Sequence, residues 1–175
     1  MATGSRRPRG RRAGVRALAA VAWTTLAAGL AAAQGTDADA LAPRAELIVR
    51  ATCTGASARW DPAQRLVVTD VTLAVDEVVA GRAPATLRLA EPGGVLPERN
   101  FGMLVPHAAR FVPGEESVLL LARDAGGRLR VLGGVRGQMR VVRDRARGAP
   151  TVGGADWSAV RARLAAGAAR GTGRR

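Results

Sequence analysis

The chain has no lysine and no tyrosine, a single cysteine, Cys53, and a single histidine, His107. Each shortage removes a chemistry. With one cysteine no intramolecular disulfide forms, so packing has to hold the fold together. A zinc site would need His107, Cys53 and carboxylates at spacings that fit no metal-binding motif. A Ser-His-Asp triad would have to join His107 to Ser57, Ser117 or Ser158, and none of these serines sits in a nucleophile elbow. Aromatic residues make up 3% of the 175 positions, which disfavours a nucleic-acid surface built on base stacking. The length and the 22 glycines disfavour a coiled coil and a multi-domain enzyme.

What is present begins with charge. All 27 basic residues are arginine, the usage of a GC-rich genome, against 14 acids. The excess sits at the ends: residues 1–16 carry six arginines and residues 161–175 carry five, with no acid in either stretch. Residues 34–160 hold 16 arginines and 14 acids, so the high pI describes two termini and not a basic folded surface. Nucleic acid is therefore a disfavoured partner, and the Arg-rich tail reads as a solvated terminus.

The N-terminus has the layout of an export signal. Arg6, Arg7, Arg9, Arg11, Arg12 and Arg16 precede an uncharged run over residues 17–33, which ends in Ala31-Ala32-Ala33 before Gln34. The expectation is a signal peptide over 1–33, with Sec preferred to the twin-arginine route and a periplasmic or secreted mature chain. The alternative, a membrane anchor, has only 17 alanine-dominated residues to span with, so no stable span is expected after the leader is removed. Cys53 has no lipobox before it and reads as a small apolar strand residue facing the core.

The rest is mostly strand pattern. Residues 34–44 read as a flexible lead-in ending near Pro43. Leu47, Val49, Ala51 and Cys53 alternate in a first strand, over about 46–59, closed by Asp61-Pro62. Val67, Thr69, Val71, Leu73 and Val75 form the inward face of a second strand, long enough to bend. Leu87 and Leu89 mark a short third strand before Glu91-Pro92-Gly93-Gly94. Residues 117–122 are an apolar strand, the Asp124–Gly127 stretch a hairpin loop, 128–132 its return, and 138–142 a further strand. The glycine pairs lack phosphate-loop spacing and read as turns. Asp70, Asp76 and Glu77 lack a calcium loop and read as a solvated strand face. Residues 143–154 read as a linker. Asp156 is positioned as an N-cap, with Trp157, Val160 and Leu164 at helical spacing, which predicts a short amphipathic helix over 155–166 and a disordered basic tail over 167–175.

The unit from Arg59-Trp60-Asp61-Pro62 through the valine-rich run 66–81 to Glu91-Pro92-Gly93-Gly94 resembles a family of small, functionally uncharacterised exported bacterial β domains. Phe111-Val112-Pro113-Gly114-Glu115 and Gly137-Gln138-Met139-Arg140-Val141 fit the same pattern, so the resemblance spans about 45–142. More distantly, the strand order is similar to netrin-module and metalloproteinase-inhibitor domains. That likeness implies a mainly β fold: a small OB-like antiparallel barrel of five or six strands with a short C-terminal helix. The inhibitors' mature N-terminal cysteine and their disulfides have no counterpart here, so their mechanism transfers to no residue.

The segment 95–112 has no clear period and holds prolines 97 and 106, Gly102, and both phenylalanines. Long ordered connections of this kind carry function more often than strands do. Arg99, Asn100, Phe101 and His107 are its candidate binding residues. The sequence offers no complete catalytic constellation, no metal ligand set and no cofactor motif. It predicts an exported, non-enzymatic domain that binds an unknown protein or cell-envelope partner. A hydrolase, or an inhibitor of one, using the same loop is the alternative.

Overall fold

The computed structural model describes residues 37–143 and 148–173. A short helix, α1 (Asp37–Leu41), and a 3-10 turn over Ala42–Arg44 lead into two long strands, β1 (Leu47–Asp61) and β2 (Leu66–Ala80). After β3 (Thr86–Pro92) comes a small hairpin of β4 (Gly94–Leu96) and β5 (Phe101–Met103). The chain continues through β6 (Glu116–Arg123), β7 (Leu129–Val131), β8 (Gln138–Arg143), β9 (Pro150–Val152) and β10 (Ala155–Asp156) to the helix α2 (Trp157–Thr172). All pairings are antiparallel. The main sheet has eight strands in the order β10-β9-β8-β6-β1-β2-β3, with β7 pairing β6.

Strand period and burial together explain this arrangement. Successive side chains point to opposite faces of a strand, and on β1 and β6 both faces are apolar. Leu47, Val49, Ala51 and Cys53 of β1 and Leu119 and Leu121 of β6 join Val71, Leu73, Leu87, Leu89 and Val131 in one cluster. Ile48 of β1 and Val118 and Leu120 of β6 enter a second cluster with α1 and α2. The sheet therefore curls over one face and carries helices on the other. Three register shifts between β1 and β2, the last between Cys53 and Gly55, provide the bend that the length of these strands implied.

The curl does not close. Where the sequence predicted a five- or six-stranded barrel, β3 comes alongside β7 without forming a ladder. One side chain bridges the seam: Glu91 Oε1 accepts the Val131 backbone N–H at 2.9 Å. β7 has only three residues, all of whose ladder pairs are with β6.

Three further expectations change. Residues 37–44 of the supposed lead-in are α1 and its turn, because Ala38, Leu41 and Ala42 lie at i, i+3 and i+4 and are buried against α2. Within the supposed linker, β9 and β10 extend the sheet, with Val152 in the helix-side cluster. The C-terminal helix runs to Thr172 and not to 166, so most of the supposed tail is helical. Its last turns approach the 42–44 turn closely: a Cβ at Gly167 would stand 2.7 Å from that of Ala42. The signal-peptide expectation, residues 144–147 and the last two arginines lie outside the described residues. Among the described residues no helix is long and apolar enough to cross a membrane.

A polar clasp joins α2 to the sheet. Arg50 on β1 lies between Glu77 of β2, at 3.3 Å, and Glu116 of β6, its guanidinium hydrogen-bonded to both. Trp157 Nε1 donates to Glu77 at 2.9 Å, Arg161 pairs with the same carboxylate at 2.6 Å, and the Trp157 ring centroid lies 5.7 Å from the Arg50 guanidinium carbon. Glu77 is thus part of the helix dock and not of a solvated face, whereas Asp70 remains exposed and pairs with Arg59. Asp156 stands at the N-cap with extended backbone, but its side chain makes no capping hydrogen bond.

The close packing of Gly167 on Ala42 predicts that Gly167→Leu forces α2 away from the turn and lowers stability by about 1–3 kcal/mol. Ala166→Leu, on the exposed side, should leave it within about 0.5 kcal/mol. Urea titrations of the three proteins check this, and equal midpoints for wild type and Gly167→Leu would refute it.

Candidate functional site

The 95–112 segment folds into two anchored pieces with a cleft between them. Its first piece is the β4–β5 hairpin, held to β2 where Gly93 N–H donates to Val67 O at 2.7 Å and the Thr69 hydroxyl donates to Gly93 O at 2.6 Å. Gly94, with φ of 146°, needs to be glycine: a Cβ there would lie 2.6 Å from Thr69 Oγ1. The second piece, residues 105–112, is fixed from β8 and the turn before it. Gln138 spans the Arg110 backbone, accepting its N–H at 3.0 Å and donating to its carbonyl at 2.7 Å, while the His107 carbonyl accepts Val135 N–H at 2.9 Å.

The cleft has a volume of about 440 Å³ and is lined by residues 92–95, 102–105 and 108–112, with Thr69 and Glu91. That size lies within the roughly 300–1,000 Å³ of small-molecule sites. Apolar side chains predominate, including Met103, Val105, Ala109 and Phe111. Three more lining residues, Val95, Leu104 and Val112, are exposed to 65%, 74% and 51%. Two charged residues complete the lining. Arg110 is exposed; Glu91 is 4% exposed and ends the inward series Leu87, Leu89, Glu91 on β3. Desolvation raises the Glu91 pKa above the ordinary carboxylate range, only partly offset by the Val131 N–H and by Arg130.

None of the four residues singled out from the sequence lines the cleft. Arg99 and Asn100 occupy the turn between β4 and β5, where Asn100 has φ of 46°, and Phe101 starts β5 with its ring partly exposed. His107, also at positive φ with 60°, is exposed, and its ring makes no hydrogen bond or ion pair among the described residues. The cleft takes Val95, residues 102–105 and residues 108–112 from the same segment, some of them immediate chain neighbours of Phe101 and His107. Glu91 went unnoticed because it opens a Pro-Gly-Gly turn; the alternation on β3 was the signal that would have placed it inward. Among the described residues no three His, Cys, Asp or Glu side chains come together as a metal site would need. No protein-family model, curated protein or solved structure matches the chain.

Glu91 generates a pH test. Because its folded pKa lies above its unfolded one, the folded state keeps the proton longer, and stability should fall as pH rises from the ordinary glutamate range through the raised value. Glu91→Gln keeps an acceptor for Val131 N–H and does not titrate, so its stability should lack that decline. Glu91→Leu leaves the amide unpaired and should cost about 1–3 kcal/mol at the acid end of the range, where Glu91 holds its proton. Denaturant midpoints from pH 4, near the usual glutamate pKa of about 4.3, up to about pH 8 decide it; an unchanged slope in Glu91→Gln would sink the assignment.

Proposed function

We propose that this protein is an exported, non-enzymatic binding domain that receives an apolar group of a protein or cell-envelope partner in the cleft between the β4–β5 hairpin and residues 105–112. The observation that carries the reading is the cleft itself: about 440 Å³ of mainly apolar lining with three exposed apolar side chains among its residues. A soluble domain hides such surface unless something is meant to cover it. Both lining pieces are anchored by hydrogen bonds to the sheet, so little ordering cost attaches to binding. The export part rests on the arginine-then-alanine layout of residues 1–33. The neighbour order β1-β2-β3, with β7 beside β3 and β6 beside β1, supports reading the curled sheet as an OB-type barrel left open at one seam.

Gly102 offers the direct test. A Cβ there meets only Val95 Cγ2 at 3.6 Å and Gly94 O at 3.8 Å, so the hairpin has room for Gly102→Phe at a position that lines the cleft. A neutral apolar fluorophore, N-phenylnaphthylamine, should bind the wild type saturably and Gly102→Phe at least about tenfold more weakly, a loss of roughly 1.4 kcal/mol, with unchanged melting temperature. His107→Ala should stay within about threefold, since most residues outside a binding centre cost little when truncated. Equal binding by Gly102→Phe would overturn the site. The export reading predicts that intact mass of the native protein, taken from periplasmic and medium fractions, shows a chain starting at Gln34; a full-length species in the membrane fraction would overturn it.

A further inference from the structure

Resting on the binding reading above, we infer that the cleft holds a monomeric anionic amphiphile, a single alkyl chain with a carboxylate or phosphate head, chain inward and head at Arg110. Charge complementarity carries the argument. Arg110 and Glu91 are the two charged residues of the lining, and they differ sharply in access. The Glu91 side chain points inward along β3 and one of its oxygens is engaged by Val131 N–H, so no lining cation stands beside it at the interior end. Arg110 is exposed, and only its backbone is held, by Gln138. Its guanidinium makes no ion pair or hydrogen bond among the described residues. Elsewhere on the strands, Arg50, Arg59, Arg123, Arg130, Arg140 and Arg143 each pair with a carboxylate, whereas Arg88 of β3, away from the cleft lining, pairs with none among the described residues.

The positive charge open to a ligand is thus at the accessible side of an otherwise apolar cavity, while the other charged residue of the lining is the buried acid Glu91. An amphiphile with its head outward satisfies both. A cleft of about 440 Å³ has room for a single chain, which favours a monomer over a bilayer surface.

Isothermal titration of the purified chain with decanoate, decanol and decyltrimethylammonium, each below its aggregation threshold, separates head from chain. Decanoate should bind about tenfold more tightly than decanol, the size of one charge-assisted hydrogen bond, and decyltrimethylammonium most weakly. Arg110→Gln should bring decanoate to the affinity of decanol and leave decanol itself unchanged. Arg99→Gln, in the hairpin turn, should alter neither. The advantage of decanoate should shrink in high salt. If decanoate is no tighter than decanol in the wild type, or the cation binds best, the anionic head is wrong while the apolar cleft stands. If Arg110→Gln keeps the full preference, the head is not at Arg110. If none of the three binds, the inference and the binding reading fall together. Binding to anionic phospholipid vesicles without binding of decanoate would replace the monomer with a membrane surface and overturn the proposal.

Discussion

The architecture depends on β1 and β6 being apolar on both faces. An antiparallel sheet usually leaves one face to water, but Val118, Leu119, Leu120 and Leu121 are all fully buried, and so are Ile48 and Val49 beside them. Two covers are therefore required. The bend of β1 and β2 supplies one by folding the sheet over Leu47, Val49 and Leu119. The other is assembled from opposite ends of the described chain, α1 before the sheet and α2 after it, which meet over Ile48 and Leu120. The cleft follows from the first cover, since Glu91, Ala109 and Phe111 lie where that interior runs out toward the hairpin.

The parts that could be read from the sequence are those with long periodic signals. The alternation of Leu47 to Cys53 and of Val67 to Leu73 placed two strands and their inward faces, and Leu87 and Leu89 a third. Trp157, Val160 and Leu164 gave the buried stripe of α2. Ala38, Ala42, Gly167 and Ala168 carry almost no hydropathic signal, yet small side chains are what let α1, its turn and α2 pack closely. β9 and β10 are three and two residues long, too short for a period to show. Of the candidate cleft, the segment was legible but not the lining residues. Chemical rarity pointed to Phe101 and His107, whereas the lining was set by which backbone the hairpin and Gln138 bring together.

The clasp around Arg50 shows how polar groups are tolerated beneath a helix. Arg50 and Glu116 retain side-chain exposures of 15% and 11%, low enough that an unpaired charge would be costly. Each is satisfied more than once: Arg50 by two carboxylates and a ring face, Glu116 by Arg50 and Arg143, Glu77 by two arginines and the Trp157 N–H. Such a network adds direction where apolar packing is permissive, because Trp157 reaches Glu77 only in one seating of α2.

Cys53 is 2% exposed within β1, between the ladders to β2 and to residues 114–115, and desolvation pushes its thiol above the ordinary range. As the sole sulfhydryl of the sequence, it is a built-in clock for the sheet. A maleimide reaches it only when β1 parts from its neighbours, so the labelling rate counts those partings at one known point, without an engineered probe and without background from any other thiol.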